Sequence, residues 1–202
     1  MKILIASALY EEVLPIIKHY SLTETEPRLF SRGNLSLLIT GVGLLRVAAE
    51  LSVKMAEYDY FFNIGTCGSL SDKYGVYDII EPRGFIQGDF DGFELDTPNP
   101  ANRFDPCYLK LKEGVPGLCS VNRFITEPVD GAELVDMEGY AFVALMEKWH
   151  KPYRVFKIVS DSGDHDEFHD TVSRCVEKNL EFITKAVDAV LGEDAALFDK
   201  KN

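Results

Sequence analysis

Three carboxylic acids stand where an acidic residue follows or interrupts an apolar run. Glu12 follows ILIASALY, Glu138 lies within VDMEGYAF, and Asp161 lies within KIVSDSGD. Cleaving the bond between a sugar and a nitrogenous base needs an acid that protonates the leaving base and carboxylates that stabilise an oxocarbenium-like sugar. Asp161 is the candidate acid, and Glu138 is the candidate partner of the ribose hydroxyls. Together these residue types predict chemistry at a glycosidic bond.

Each of these carboxylates also has a purely structural interpretation. Asp161 has a serine on either side and could cap a turn or a helix, which is as plausible as proton donation. Glu138 and Glu12 could be exposed first-turn residues favoured by a helix dipole, and for Glu12 taken alone this is the stronger interpretation. An unpaired Glu among apolar neighbours is costly to bury, which favours a functional role for Glu138.

Two glycine-containing loops could bring a ligand close to the backbone. The segment from Gly65 to Ser69 reads GTCGS, which adds two hydroxyl groups but is a weak signal alone. The segment from Gly41 to Gly43 follows an apolar run, but position 46 is Arg, so the dinucleotide-binding fingerprint is broken. We therefore expect no nicotinamide cofactor and no other cofactor.

A metal site is the weaker interpretation of the histidines. His165 and His169 are four residues apart beside acidic residues and could bind a divalent cation on one helix face. The sequence offers no third ligand cluster, so solvated residues at the start of a helix are favoured and no metal is expected. Phe90, Phe93 and Phe124 are each, taken singly, more typical of a core than of ligand stacking.

The composition predicts one domain and excludes several classes of partner. The 202 residues, 46% of them hydrophobic, suffice for a buried core. No apolar run approaches the roughly 20 residues of a membrane-spanning helix, and a net charge of -12 disfavours nucleic acid. The amino terminus lacks the form of a signal peptide, which predicts a cytoplasmic protein with reduced thiols. The four cysteines are scattered, without metal-type spacing: Cys67, Cys107, Cys119 and Cys175.

Apolar runs and helical periodicity alternate along the chain. Strands are predicted at residues 2–6, 35–40, 60–64, 77–82, 117–121 and 154–160, and helices at 11–20, 44–55, 139–149 and 166–191. This alternation predicts an α/β fold, a three-layer α/β/α sandwich around a central mixed, twisted sheet with ligands at the carboxyl ends of its strands. A single domain is expected over 1–192, with a frayed tail over 193–202.

Taken together, these segments resemble the purine nucleoside phosphorylase and nucleosidase superfamily, and most of all its 5'-methylthioadenosine/S-adenosylhomocysteine nucleosidases. The resemblance spans nearly the whole chain in the family's order and is therefore far more specific than any single motif. The matching segments are MKILIASALYEEV, TGVG, NIGTCGSL, QGDFD, VNRFI, VDMEGYAF and VSDSGD. It implies a nucleoside phosphorylase-like fold and a small purine nucleoside as the substrate.

The resemblance also implies roles for the three carboxylates. Glu12 would activate water, and Glu138 would bind the ribose hydroxyls with help from Met137. Asp161 would donate a proton to the purine N7 and would be oriented by Ser160. Because every candidate role falls in family order, function becomes the better interpretation of each carboxylate.

The implied substrate contacts lie in four other segments. Phe124 would stack on the purine, and the backbone of Ile125 would bond its edge. Thr66 and Gly68 would flank the ribose and the base, while Val42 would approach the 5' substituent. Relatives pair through the second loop and the region after the fourth strand, which implies a homodimer.

Three departures from the family's pattern affect the expected site. Gly88 stands where many relatives have His, so one ribose or 5' contact is missing or supplied elsewhere. Lys157 replaces the usual Arg near Glu138, which keeps a charge for substrate binding but loses the bidentate fork. The stretch from Asp89 to Pro116, whose counterpart shapes the 5' pocket, is compact.

The nucleophile is predicted to be water rather than phosphate. The first loop, SALYEEV, has no basic residue, and Asn63 stands where a phosphorylase would have an Arg. Methylthioadenosine or adenosylhomocysteine is the first choice of substrate. Futalosine is the runner-up because TGVG followed by Leu-Leu also resembles the futalosine hydrolases. A phosphorylase and a non-catalytic nucleoside-binding protein remain alternatives.

Overall fold

In the computed structural model, the structure describes residues 1–89, 108–109, 116–161 and 165–198. For residues 108–109, 165–170 and 193–198 it describes the backbone. Within these segments it describes the surroundings of one side chain, that of Phe168. His165 and His169 begin a helix in this backbone, but their side chains lie outside the description, as do Phe90 and Phe93. The expectation that these two histidines bind no metal therefore stays a prediction.

The described residues form eleven strands and five helices. The strands are β1 (Ile3–Ser7), β2 (Thr23–Glu26), β3 (Leu29–Arg32), β4 (Leu35–Ile39), β5 (Tyr60–Ser69), β6 (Ile79–Ile80), β7 (Gly84–Gln87), β8 (Tyr108–Leu109), β9 (Gly117–Ser120), β10 (Leu134–Asp136) and β11 (Tyr153–Asp161). The helices are α1 (Tyr10–Tyr20), α2 (Leu44–Ser52), α3 (Gly139–Lys148), α4 (His165–Lys178) and α5 (Leu180–Phe198).

All eleven strands belong to one mixed sheet that divides at β5. The main path runs β2-β3-β4-β1-β5-β10-β9-β7-β8, and β11 joins β5 to β6. β11 runs parallel to β5 from Phe61 to Gly68 and so occupies one edge of that strand. The other edge is shared, because β1 pairs with residues 60–63 and β10 pairs with residues 68–69. Among the described strands, none pairs with residues 64–67 on this edge.

Helices cover both faces of the sheet. One core cluster contains apolar side chains of α2 and α3 together with Phe61, Val155 and Val159. The opposite cluster contains apolar side chains of α1, α4 and α5 together with Phe62, Phe156 and Ile158. Successive strand residues point to opposite faces, so neighbouring residues such as Phe61 and Phe62 serve different layers. The predicted three-layer α/β/α architecture is confirmed.

The structure departs from the predicted elements in several places, since five of its strands (β2, β3, β7, β8 and β10) and the break in the last helix were not predicted. The hairpin of β2 and β3 was not predicted, because Thr23–Glu26 is exposed throughout and has no apolar face. The single helix predicted over 166–191 is wrong, since the chain breaks at Asn179 between α4 and α5. The Asn179 amide donates to the backbone oxygens of Tyr77 and Cys175, an alternative to regular helical bonding. α5 then continues to Phe198, beyond the predicted end at Leu191.

Within the described parts of the chain, none of the helices is both long enough and apolar enough to cross a lipid bilayer.

Candidate active site

A cavity of about 270 Å³ opens where the sheet divides. Its lining comes from the segments after β1 and β4, the end of β5, the segments around β9 and β10, the end of β11 and helix α4. The lining residues are Ala8, Leu9, Glu12, Val42, Thr66, Cys67, Gly68, Arg123, Phe124, Ile125, Val135, Asp136, Met137, Glu138, Ser160, Asp161 and Phe168. Glu12, Glu138 and Asp161 thus share one cavity although their sequence positions are far apart.

Glu12 is a buried carboxylate, not a surface charge. Its Oε1 accepts hydrogen bonds from the Thr66 backbone N (2.8 Å) and hydroxyl (2.6 Å). Its Oε2 accepts from the Ser7 hydroxyl and from the Leu9 N–H, each at 3.0 Å. The Leu9 bond is a capping interaction, in which an acidic side chain in the first turn accepts the backbone N–H of the residue before the helix. Glu12 makes this capping bond and also lines the cavity. The interpretation of Glu12 as an exposed first-turn residue is therefore wrong.

The division of the sheet explains why Glu12 and Thr66 meet. Thr66 lies on β5 between the part paired with β1 and the part paired with β10. Its backbone N–H on this edge has no neighbouring strand, and a buried N–H requires an acceptor. Glu12, in the first turn of α1 after β1 ends, supplies that acceptor. The fold therefore fixes this carboxylate at the carboxyl end of the sheet.

Glu138 immediately precedes α3 and directs its carboxylate toward the second loop. Its Oε1 accepts the Gly43 N–H at 3.0 Å, and Gly43 has a φ of 106°, a conformation that favours glycine. Burial away from water, followed by the nearby Asp136 carboxylate, raises the pKa of Glu138 to about 8, against the opposing effects of Lys157 and Gly43. Because Glu138 is buried and makes no capping bond, the exposed first-turn interpretation is wrong.

Two other side chains cap α3 and so leave Glu138 available. Asp136 Oδ2 accepts the Gly139 N–H at 2.8 Å, and the Ser120 hydroxyl oxygen accepts the Tyr140 N–H at 2.8 Å. Ser120 in turn donates to Asp136 Oδ1 at 2.5 Å. The first N–H groups of a helix need such acceptors. Sequence reasoning missed Asp136, although its place two residues before Glu138 in VDMEG was an available signal.

Lys157 lies beneath the cavity and is absent from its lining. Its ammonium nitrogen is 2.8 Å from Asp136 Oδ2, and its side chain is 2% exposed. Burial alone would lower the pKa of Lys157, but the facing carboxylates of Asp136, Glu138 and Glu12 raise it above its ordinary value. Lys157 therefore pairs with Asp136 and is not among the lining residues, and its expected contact with the substrate stays a prediction.

Asp161 ends β11 at a bulge in the sheet. Val159 pairs with Cys67 and Asp161 pairs with Gly68, so Ser160 is the extra residue. Bulges redirect side chains and often occur beside functional sites. The Ser160 hydroxyl lies 2.9 Å from Asp161 Oδ2 and donates there or to the Cys67 carbonyl at 3.2 Å. Asp161 is 3% exposed and reaches the cavity next to Gly68.

The remaining cavity wall is largely apolar. Phe124 is 49% exposed at the mouth, and Ile125 beside it is buried. Val42 and Met137 also line the cavity. Neither Phe168 of α4 nor Arg123 was singled out from the sequence. Both line the cavity, and no local sequence signal distinguished them from ordinary helix and loop residues.

Comparison with known proteins identifies the family. The family model described as "Phosphorylase superfamily" matches residues 2–119 and 121–191. This chain belongs to the phosphorylase superfamily. Comparison with curated proteins finds no match.

Several solved structures share this fold. One is 5'-methylthioadenosine/S-adenosylhomocysteine nucleosidase from Helicobacter pylori with butyl-thio-DADMe-Immucillin-A (16% identity, 94% of this chain and 98% of that chain covered, TM-score 0.78). Another is futalosine hydrolase of Helicobacter pylori (17%, 94% and 98%, 0.78). A third is the Streptococcus pneumoniae 5'-methylthioadenosine/S-adenosylhomocysteine nucleosidase with the transition-state inhibitor MT-ImmA (16%, 89% and 96%, 0.73). At these identities the similarity establishes the fold.

Two of the expected departures from the superfamily pattern have structural causes. A Cβ atom at Gly88 would lie 2.3 Å from Cys119 Sγ and 2.8 Å from Val121 Cγ1, so a His has no room at this position. Asn63 is buried in β5, where its amide donates to the Ala6 carbonyl at 3.3 Å, and it does not line the cavity. In this phosphorylase superfamily member neither position presents a cation to a ligand.

Proposed function

We propose that this chain hydrolyses the N-glycosidic bond of a purine nucleoside. The observation that carries the proposal is the convergence of Glu12, Glu138 and Asp161 on one cavity of about 270 Å³. Acid catalysis on the base, stabilisation of the sugar and activation of water each require a carboxyl group in a different direction from the substrate. The three residues come from different elements: Glu12 from the start of α1, Glu138 from the residue before α3, and Asp161 from the end of β11.

Asp161 is assigned as the acid. In this assignment its proton moves to N7 of the purine while the bond between the base and C1' breaks. The Ser160 hydroxyl, within 2.9 Å of Asp161 Oδ2, orients the carboxyl group. The base thereby leaves as a neutral purine instead of an anion.

Glu138 and Glu12 are assigned to the sugar and the water. Glu138 binds the ribose hydroxyls and, when ionised, stabilises positive charge on the ring. Glu12 accepts a proton from the water whose oxygen forms the new bond to C1'. The four hydrogen bonds to Glu12 hold both of its oxygens in place for this step. Free base and a reducing sugar are the products.

Contacts with the rest of the nucleoside follow from the lining. Phe124 stacks on the purine, and the backbone of Ile125 bonds its edge. Thr66 and Gly68 lie beside the ribose, Met137 packs beneath it, and Val42 contacts the 5' substituent. The apolar character of this wall supports a nucleoside with an uncharged or thioether 5' group next to the ribose.

The charges around the cavity support water over phosphate as the nucleophile. Among the described lining residues, four are acidic and only Arg123 is basic. A phosphate dianion next to Glu12 would experience repulsion on the order of several kcal/mol in a partly buried site. The buried cation, Lys157, is already bound to Asp136 at 2.8 Å.

5'-Methylthioadenosine or S-adenosylhomocysteine is the proposed substrate, as the family resemblance implies, and N7 of its adenine would accept the proton of Asp161. Futalosine is the second candidate. One support is the TGVGLL segment. The other is structural similarity: the TM-score is 0.78 for the futalosine hydrolase and also 0.78 for the nucleosidase from the same organism. The two candidates differ in both the base and the 5' group, so product analysis separates them.

One substrate panel tests the proposal. The protein is incubated with methylthioadenosine, adenosylhomocysteine, futalosine, adenosine and inosine, with and without phosphate, and the sugar product is identified. Free sugar at a rate independent of phosphate is expected. A ribose 1-phosphate would instead identify a phosphorylase. Tight nucleoside binding without turnover would identify a non-catalytic binding protein, and Glu12→Gln serves as the inactive control for contaminating activity.

A further inference from the structure

Asn122 connects three segments at the mouth of the cavity but does not line it. Its side-chain Oδ1 accepts the Leu44 N–H at 3.3 Å. Its Nδ2 donates to Asp89 Oδ2 at 3.1 Å, and its backbone N–H donates to the same oxygen. Asn122 thus links the segment after β9 to Leu44 at the start of α2 and to Asp89.

These bonds lie next to two of the groups assigned to the substrate. Gly43, whose N–H is bonded to Glu138 Oε1 at 3.0 Å, directly precedes Leu44. Phe124 lies two residues after Asn122 and is 49% exposed, so packing fixes its ring less firmly than it fixes a core residue. Hydrogen bonds at Asn122 therefore restrain both the wall that carries Phe124 and the loop that holds Glu138.

We propose that Asn122 is a positioning residue that clamps the Phe124 segment to the start of α2, and so sets the distance between the purine-stacking ring and Glu138. The inference rests on the proposed function only in naming what Phe124 and Glu138 contact. The hydrogen bonds that form the clamp hold the two segments together whatever ligand the cavity binds.

Asparagine is suited to this position because it presents a donor and an acceptor at once. The acceptor serves Leu44 and the donor serves Asp89. An aspartate at position 122 could still accept from Leu44, but it would face the Asp89 carboxylate. Exchanging both residues, as in Asn122→Asp with Asp89→Asn, restores one donor and one acceptor with the direction of the side-chain bond reversed.

The kinetic test compares four proteins: the parent, Asn122→Ala, Asn122→Asp and the exchanged double variant. Loss of the clamp weakens substrate stacking, so KM should rise about threefold to tenfold, the equivalent of one ordinary hydrogen bond, with a smaller fall in kcat. The double variant should recover most of this loss. Glu127→Gln, an exposed change in the same segment, is the control and should behave as the parent.

A second measurement does not depend on enzymatic activity. The chain has one Trp, so Phe124→Trp in a Trp149→Phe background places the single fluorophore at the cavity mouth. Time-resolved anisotropy should show a larger fast component when Asn122→Ala is added and a return toward the starting value in the exchanged pair. If no nucleoside is cleaved by the parent, the proposed function fails while this measurement still decides the clamp.

Two results would overturn the clamp. One is parental KM and parental anisotropy in both single variants. The other is a loss of stability in Asn122→Asp that the exchanged pair does not reverse, with KM unchanged in the folded fraction, since that pattern describes a residue needed only for folding. If Asn122→Ala fails to fold, the comparison of Asn122→Asp with the exchanged pair carries the decision.

Discussion

The ammonium nitrogen of Lys157 lies 2.8 Å from Asp136 Oδ2, and neither side chain is more than 2% exposed. Transfer of two charges from water into the interior is costly, and mutual attraction offsets the cost only when further hydrogen bonds complete the site. Asp136 has these bonds from Ser120 and from the Gly139 N–H. Removing one member of the pair should therefore destabilise the fold more than replacing both members with apolar residues of similar size.

Lys157→Met is expected to lower the free energy of unfolding by about 3–5 kcal/mol, because it leaves Asp136 buried without its cation. Urea denaturation measures the change. Adding Asp136→Asn should recover a clear part of the loss, since the amide oxygen can still accept from Gly139. Lys73→Met is the control, because it removes the Lys73–Glu133 pair at the surface, and its effect on stability should be much smaller. Additivity of the two buried changes within about 0.5 kcal/mol would show that Lys157 and Asp136 act independently.

Glu138 should make stability depend on pH in a direction that follows from its raised pKa. Its pKa is about 8 in the folded protein and 4.5 in the reference state, so the folded protein retains a proton that the unfolded chain releases. The resulting stabilisation is complete below about pH 4.5 and is lost as the pH rises toward 8. In Glu138→Gln the side chain stays neutral and this decline should be absent.

The measurement for Glu138 is a series of denaturant titrations between about pH 5 and pH 8, on the parent and on Glu138→Gln at the same ionic strength. The difference in unfolding free energy, variant minus parent, should increase across the series. A difference that stays constant with pH would mean that Glu138 is ionised throughout in the folded protein.

Gly88→Ala should destabilise the fold, because the added Cβ would lie 2.3 Å from Cys119 Sγ. Overpacking of this kind costs about 1–3 kcal/mol. Cys119→Ala removes the nearest obstacle and should restore part of the loss in the double variant. Gly192→Ala is the matched control, since nothing lies within 4 Å of a Cβ there and α5 gains a better helix former. Equal stability of Gly88→Ala and the parent would remove the steric reason for the glycine.

A homodimer that closes the 5' side of the cavity is expected from the family resemblance. Leu45 is 81% exposed and Val42 is 38% exposed, and both lie in the segment that this expectation places at the dimer contact. Light scattering should report about twice the chain mass of 22.7 kDa. Leu45→Asp should shift the protein toward the monomer, whereas Val53→Asp, 69% exposed at the far end of α2, should not. A fully active monomer would contradict this assembly.

The main layers of the fold could be predicted from sequence because they depend on local patterns. Apolar strands such as Leu35–Ile39 and the apolar face of α1 are recognisable in any window of the chain. The hairpin strand Thr23–Glu26 is not, because its pairing with β3 and not its own side chains makes it a strand. The break at Asn179 depends on a bond to Tyr77, which is 102 residues away.

The same distinction applies to the candidate site. The placement of Glu12 and Asp161 near one another could be anticipated because both follow parallel strands, whose carboxyl ends lie at one edge of the sheet. Lys157 could not be placed, since its pairing with Asp136 depends on two strands that are not neighbours. The role of Asn122 could not be predicted either, because it depends on contacts with Leu44 and Asp89, which are distant in sequence.

Asp161→Asn should reduce catalysis much more than binding. An Asn amide can still hydrogen-bond the purine N7 through its NH2 group, but it cannot deliver a proton as the glycosidic bond stretches. Ground-state contacts survive, and the interaction that strengthens only in the transition state is lost. General-acid catalysis is typically worth about 10²- to 10⁴-fold, so kcat should fall by at least that range while KM changes little.

A leaving group that needs no protonation provides the internal control for Asp161→Asn. A ribosyl substrate with a nitrophenyl leaving group should be cleaved by the variant nearly as fast as by the parent, because its departure requires no acid. If the variant lost activity on both kinds of substrate, Asp161 would serve the geometry of the bulge at Ser160 and not proton transfer. If it kept parental turnover on adenine nucleosides, Asp161 would be a strand-end residue only, and Asp164 would be the next acid to test.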